Sequence, residues 1–150
     1  MSDTDQLAEL LERRHESLSQ VAYLSRRQVE LIDSGDLGTL LQILAGKQQL
    51  LNDLSAIERR LDPFRNQRPE ERHWSDPAAR QRSARLAAES DLLLGEIFQL
   101  EQRSAGGLQQ RRDEAAQRLQ GLHSAHEARG AYLAQPDART YRQLDLSTEI

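Results

Sequence analysis

Glutamate followed three residues later by histidine occurs at Glu12-x-x-His15 and again at Glu70-x-x-His73. On facing helices that spacing supplies the ligand pairs of a di-iron bundle, completed by one glutamate from each of two other helices. The second pair, however, follows Pro69 in a proline-punctuated stretch, off any bundle helix, so it cannot face a bundle interior. His123-x-x-His126, with Glu127 beside it, shares one helix face and has residue types suited to zinc, but a third ligand is missing. Solvated histidines are the expected outcome, with no metal and no cofactor. Arg59, Arg60, Arg65, Arg68 and Arg72 cluster beside Phe64 and Trp74, which are able to stack bases. Asp62, Glu70 and Glu71 offset that cluster, and the formal net charge of −4 argues against nucleic acid as the principal ligand. Glycine-rich phosphate loops, nucleophile elbows and zincin signatures are all absent. An all-helical enzyme such as a chorismate mutase needs basic side chains converging inside the bundle, whereas these arginines fall on flanks and in the loop. The chain reads as a binding protein with no catalytic residue.

The composition points the same way. In 150 residues, aromatics make up 4% and charged residues 29%, so the core must be built from leucine and alanine. That suits long amphipathic helices, and no stretch alternates as a strand does. With no cysteine, disulfides and thiol chemistry are excluded, which is compatible with a reducing compartment. Apolar runs never exceed three residues, as at Leu92-Leu93-Leu94, and the N-terminus is acidic. No membrane insertion and no signal peptide are expected, and a cytoplasmic location follows as an expectation.

The spacing of apolar residues predicts an all-α fold, an elongated antiparallel bundle of three long helices. The first covers 4–34, started by Asp3 or Thr4, with Leu7, Leu11, Leu18, Val21, Val29 and Ile32 inward and Leu10, Leu24 and Leu31 widening the stripe. Gly35 ends it in a left-handed turn and Asp36 caps the second. The second covers 36–61, with Leu37, Leu40, Leu41, Leu44, Leu51, Leu54, Ile57 and Leu61 as its stripe. Its end is set at Leu61 because Asp62 precedes Pro63. A loop over 62–76 follows, anchored by Phe64 and Trp74. Pro77 opens a third helix over 77–130, whose stripe keeps near-heptad phase from Ala79 through Leu122. That helix is either continuous or broken at Gly106-Gly107, the break giving a four-helix bundle. A flexible tail over 135–150 is expected after Pro136.

Gly35-Asp36-Leu37, the leucines at helical spacing and then Lys47-Gln48-Gln49-Leu50-Leu51 resemble the flagellar export chaperone family FlgN. The resemblance covers roughly residues 7–61, and the third helix agrees in kind. It implies a single helical domain that binds hook–filament junction (hook-associated) proteins in the cytoplasm and delivers them to type III export apparatus components. It further implies that the C-terminal helix holds the client's coiled-coil-prone segment, through Leu108, Ala115, Leu119, Leu122, Tyr132 and Leu133. The uncovered apolar stripe points to the same segment, since a helix can be captured through anchors at such spacing. Two other readings remain open, a homo-oligomeric coiled-coil scaffold or adaptor and a metal-dependent bundle enzyme.

Overall fold

The computed structural model describes the backbone of residues 2–148 and the side chains of residues 2–134. The fold is all-α, as the patterning predicts: α1 (Asp3–Ser34), α2 (Leu37–Arg65), a short 3-10 turn (Pro69–Glu71) and α3 (Pro77–Thr148). By their internal contacts, Met1–Leu108 and Gln109–Ile150 form two compact units.

Ser2 starts α1, one residue ahead of the expected caps. Its hydroxyl accepts the Asp5 amide while the Asp5 carboxylate accepts the Ser2 amide, so two orphan donors are satisfied reciprocally. The helix ends as predicted. Gly35 adopts φ 79°, and the amides of Gly35 and Asp36 both donate to the Leu31 carbonyl. Asp36 then accepts the Thr39 amide at 3.1 Å to begin α2. With one residue between the helices in the left-handed region, α2 must fold back antiparallel on α1.

Within the first unit α1 is the central helix. Thr4, Leu7, Leu10, Leu18, Val21, Ala22, Ser25, Gln28, Val29, Leu31 and Ile32 are all buried, a stripe wider than one neighbour can cover. α2 takes one flank and α3 the other. Pairs at His15–Glu89, Arg26–Glu96 and Ser25–Glu101 show α3 running parallel to α1.

α2 departs from its predicted pattern in two ways. It continues through Pro63 to Arg65, four residues beyond the expected end at Leu61. Proline forfeits one hydrogen bond near the helix end. Continuing the helix, however, carries Phe64 into a cluster with Leu7, Leu10, Ile57 and Leu61, against which Trp74 packs. The irregular connection shrinks accordingly; both aromatics anchor onto the bundle as expected, but Phe64 does so from within α2 and not from the loop. Second, only part of the leucine stripe is buried. Leu40, Ile57 and Leu61 face α1, whereas Leu37, Leu41, Leu44 and Leu51 are exposed. The inward seam runs instead through 40, 43, 47, 50, 54, 57, 61 and 64, a strict heptad that includes Lys47.

α3 opens at Pro77, with Asp76 accepting the Ala78 amide at 3.0 Å. The helix is unbroken at Gly106-Gly107, which excludes the four-helix alternative. Packing gives the reason. A Cβ on Gly107 would lie 2.9 Å from Ile32 Cγ2, so this glycine admits α1 rather than interrupting α3. Ser83, Ser90 and Ser104 recur at seven-residue multiples on one face of α3 and are buried. Small side chains at these positions let two helix backbones approach closely. The helical backbone extends to Thr148; the expectation of a flexible tail over 135–150 falls on residues outside the described side chains.

Candidate partner-binding surface

The residues that the sequence nominates for partner binding all lie on α3 and are all exposed. At 100° per residue, Ala115, Leu119, Leu122 and Leu133 of the second unit fall on one stripe, while Tyr132 sits about a quarter-turn away. In the second unit Leu119 and Leu122 are each 67% exposed, Tyr132 71% and Leu133 57%. From Arg112 to Ala134 every described side chain is exposed, so this stretch of helix presents its apolar anchors without cover. Leu108, in the first unit, is 40% exposed. Arg112, Arg118 and Arg129 on one side of charge, and Asp113, Glu114 and Glu127 on the other, leave no dominant sign along the segment.

The candidate metal residues are not brought together. No group of three His, Asp or Glu side chains converges among the described residues. His15 on α1 instead meets Glu89 on α3 at 3.0 Å, and His123 meets Glu127 one turn along the same helix at 3.1 Å. Glu70 lies in the 3-10 turn, as its position after Pro69 predicts. His73 contributes its backbone carbonyl, which accepts the Thr4 hydroxyl at 3.1 Å and ties the connection to the start of α1.

Part of the arginine cluster is tied into the fold, whereas Arg59 and Arg60 are exposed. Arg72 donates to the Phe64 carbonyl at 2.6 Å, capping the end of α2, and Arg68 faces Glu71. Arg65 binds Glu58 and Asp62 along α2, and Arg14 of α1 reaches the same Glu58 at 2.5 Å. Burial alone would push the Glu58 carboxyl up, but hydrogen bonds from Arg14 and Arg65 outweigh it and hold the group below its ordinary range. A cleft of about 370 Å³ opens between these residues and the first turn of α1, with Thr4, Leu7, Phe64, Arg72 and His73 among its walls. In its wall the Arg72 guanidinium donates to the Phe64 carbonyl, while its Nε is buried without a hydrogen-bond partner.

One polar site was not anticipated from the sequence. Lys47, on the buried seam of α2, extends between the other two helices. Its ammonium donates to Gln28 Oε1 of α1 at 3.0 Å and pairs with Glu101 of α3. Ser25 of α1 also donates to Glu101, at 3.3 Å. Burial lowers the Lys47 pKa. The cluster therefore ties three helices at one level, and an ion pair whose cation is buried while its carboxylate stays half-exposed acts more as a register pin than as net stabilisation. The signal for it was present in the sequence: Lys47 is the lone charge between Leu37 and Asn52, and it sits at a heptad position.

Among the described residues, no helix is long and apolar enough to cross a membrane. The chain matches no family model and shows no significant similarity to a curated protein or to a solved structure.

Proposed function

We propose that this protein is a cytoplasmic type III export chaperone of the FlgN kind, acting by binding and not by catalysis. In this reading α3 holds the coiled-coil-prone segment of a flagellar hook–filament junction subunit and keeps it unassembled until the export apparatus receives it. The observation that supports it is the row of exposed anchors Leu119, Leu122 and Leu133, on a stretch of helix where no described side chain is buried. Such a stripe, with mixed charge at its edges, suits an amphipathic helix that binds reversibly through apolar contacts at three- and four-residue spacing. The Gly35-Asp36-Leu37 turn and Lys47-bearing α2 give the family resemblance, and Leu108, Ala115 and Tyr132 complete the proposed contact.

The test is calorimetric titration of the full chain with the junction subunits encoded in the same genome, beside a Leu119→Glu/Leu122→Glu variant. Micromolar or tighter binding, lost by at least about tenfold in the variant, is expected. Both side chains are mainly in water, so the variant should keep its Tm within about 2 °C. Absence of binding to every junction subunit refutes the reading. A tightly assembled homo-oligomer at nanomolar concentration would instead favour the scaffold reading.

A further inference from the structure

The second unit carries charge of both signs around its apolar stripe, and the two signs are sorted by distance from it. Ala115, Leu119, Leu122 and Leu133 define the centre line of the stripe. Arg118 and Arg129 lie roughly 45–65° to one side of that line, and Arg112 and His123 roughly 55–75° to the other. His126 is close to the centre. The carboxylates stand farther round, with Glu114, Glu127 and Asp113 all more than about 100° away. Contacts sharpen the division. Each acid has a neighbour on its own helix: Asp113 faces Arg112 at 3.7 Å, Glu114 accepts the Gln110 side-chain amide at 3.3 Å, and Glu127 meets His123 at 3.1 Å. Arg118 and Arg129 are exposed and meet no carboxylate among the described residues. In a chain of net charge −4, the ground immediately beside these leucines is therefore cationic.

We propose that the occupant of this stripe is an amphipathic helix whose own apolar row is bordered by aspartate and glutamate. The inference rests on α3 being the client-binding surface, and it adds the chemistry of the client segment. Charges beside a helix–helix seam choose the partner, as at the e and g positions of a coiled coil, because like signs across the seam repel. An acidic border would meet Arg118 and Arg129 along one side and Arg112 along the other. A second copy of this chain would instead set arginine against arginine across the same seam, so the stripe disfavours its own pairing. An anionic lipid surface has the right sign for the arginines. It would meet only three leucines between Arg112 and Ala134, however, and would repel a chain of net charge −4. Exposed pairs of this kind each change affinity by only a few-fold, and salt weakens them.

The probes are two synthetic peptides of three heptads that share leucine at a and d and carry either glutamate or lysine at every e and g. Like charges keep each peptide monomeric. Followed by fluorescence anisotropy with the full chain at about 50 mM NaCl, the glutamate peptide should bind at least about tenfold more tightly than the lysine peptide. The gap should narrow to about threefold or less at about 0.5 M NaCl. Arg118→Glu/Arg129→Glu should erase or invert the preference with circular dichroism unchanged, because both side chains are exposed. Leu119→Glu/Leu122→Glu should weaken both peptides. Equal binding of the two peptides, binding of neither, or a preference untouched by the arginine variant overturns the proposal. So does tighter association with phosphatidylglycerol vesicles than with the glutamate peptide, which would assign the stripe to a membrane. The two readings fail separately. Junction subunits that bind the native chain and the arginine variant alike would leave the proposed function standing without this inference. A glutamate peptide bound where no junction subunit is would do the reverse.

Discussion

Gly106 and Gly107 offer a controlled test of why α3 carries adjacent glycines. In the interior of a helix each costs up to ~1 kcal/mol relative to alanine. Alanine at either position therefore gains the same propensity term, and only the surroundings differ. A Cβ at 106 meets nothing within 4 Å, whereas one at 107 would lie 2.9 Å from Ile32 Cγ2. Carbon atoms in contact normally sit about 3.5–4.0 Å apart. Ile32 is 1% exposed and has nowhere to retreat without displacing the α1–α3 seam. Overpacking of this kind costs about 1–3 kcal/mol. Gly106→Ala should then stabilise the protein by about 0.5–1 kcal/mol, and Gly107→Ala should destabilise it by up to about 2 kcal/mol. The difference between the two variants isolates the clash. For a chain of this length it corresponds to roughly 3–10 °C in Tm, followed by circular dichroism at 222 nm. Ile32→Leu removes the offending methyl, so combined with Gly107→Ala it should cost at least about 0.5 kcal/mol less than the sum of the single variants. Equal stabilisation by both alanines would refute the close approach of α3 to α1 at this level.

Three further outcomes follow from the same packing. The Ser90 hydroxyl is buried without a hydrogen-bond partner, so Ser90→Ala should stabilise by about 1 kcal/mol in urea unfolding. Lys47→Met, which keeps volume and removes the buried cation, should stay within about 1 kcal/mol of the native chain, whereas Glu101→Gln leaves that cation with neutral acceptors alone and should cost about 1–2 kcal/mol; the opposite order would show that the pair is net stabilising. The Glu58 pKa is depressed below its ordinary 4.5, so its contribution is present above that pH and is lost as pH falls through the depressed value. Unfolding curves of Glu58→Gln between pH 7 and pH 3 should therefore fall less steeply at the acid end than those of the native chain; parallel curves would contradict the Arg14–Glu58–Arg65 arrangement.

Local chemistry was legible without coordinates. Gly35 and Asp36 specify a reversal because one supplies left-handed backbone and the other a cap, and both effects act within four residues. Pro77 behind Asp76 marks a helix start for the same kind of reason. The all-α class and the position of the leucine stripe on α3 follow from periodicity; that the stripe is exposed does not, because a break at Gly106-Gly107 would have covered it. What periodicity did not decide is which of several apolar stripes is buried. On α2, leucine recurs along two adjacent stripes, and only contact with α1 selects the one through Leu40, Ile43, Lys47, Leu50 and Leu54. The same contact draws a lysine inward and leaves Leu37, Leu41, Leu44 and Leu51 outside. Glycine at 106-107 is ambiguous in sequence, since a helix break and a close helix crossing call for the same missing Cβ; the position of Ile32 resolves it. Pro63 likewise discourages a helix locally, yet burial of Phe64 one residue later outweighs that preference. Backbone preferences are set by neighbours along the chain and are written in it. Burial is set by neighbours in space, and those exist only once α1 has been enclosed by the two helices that flank it.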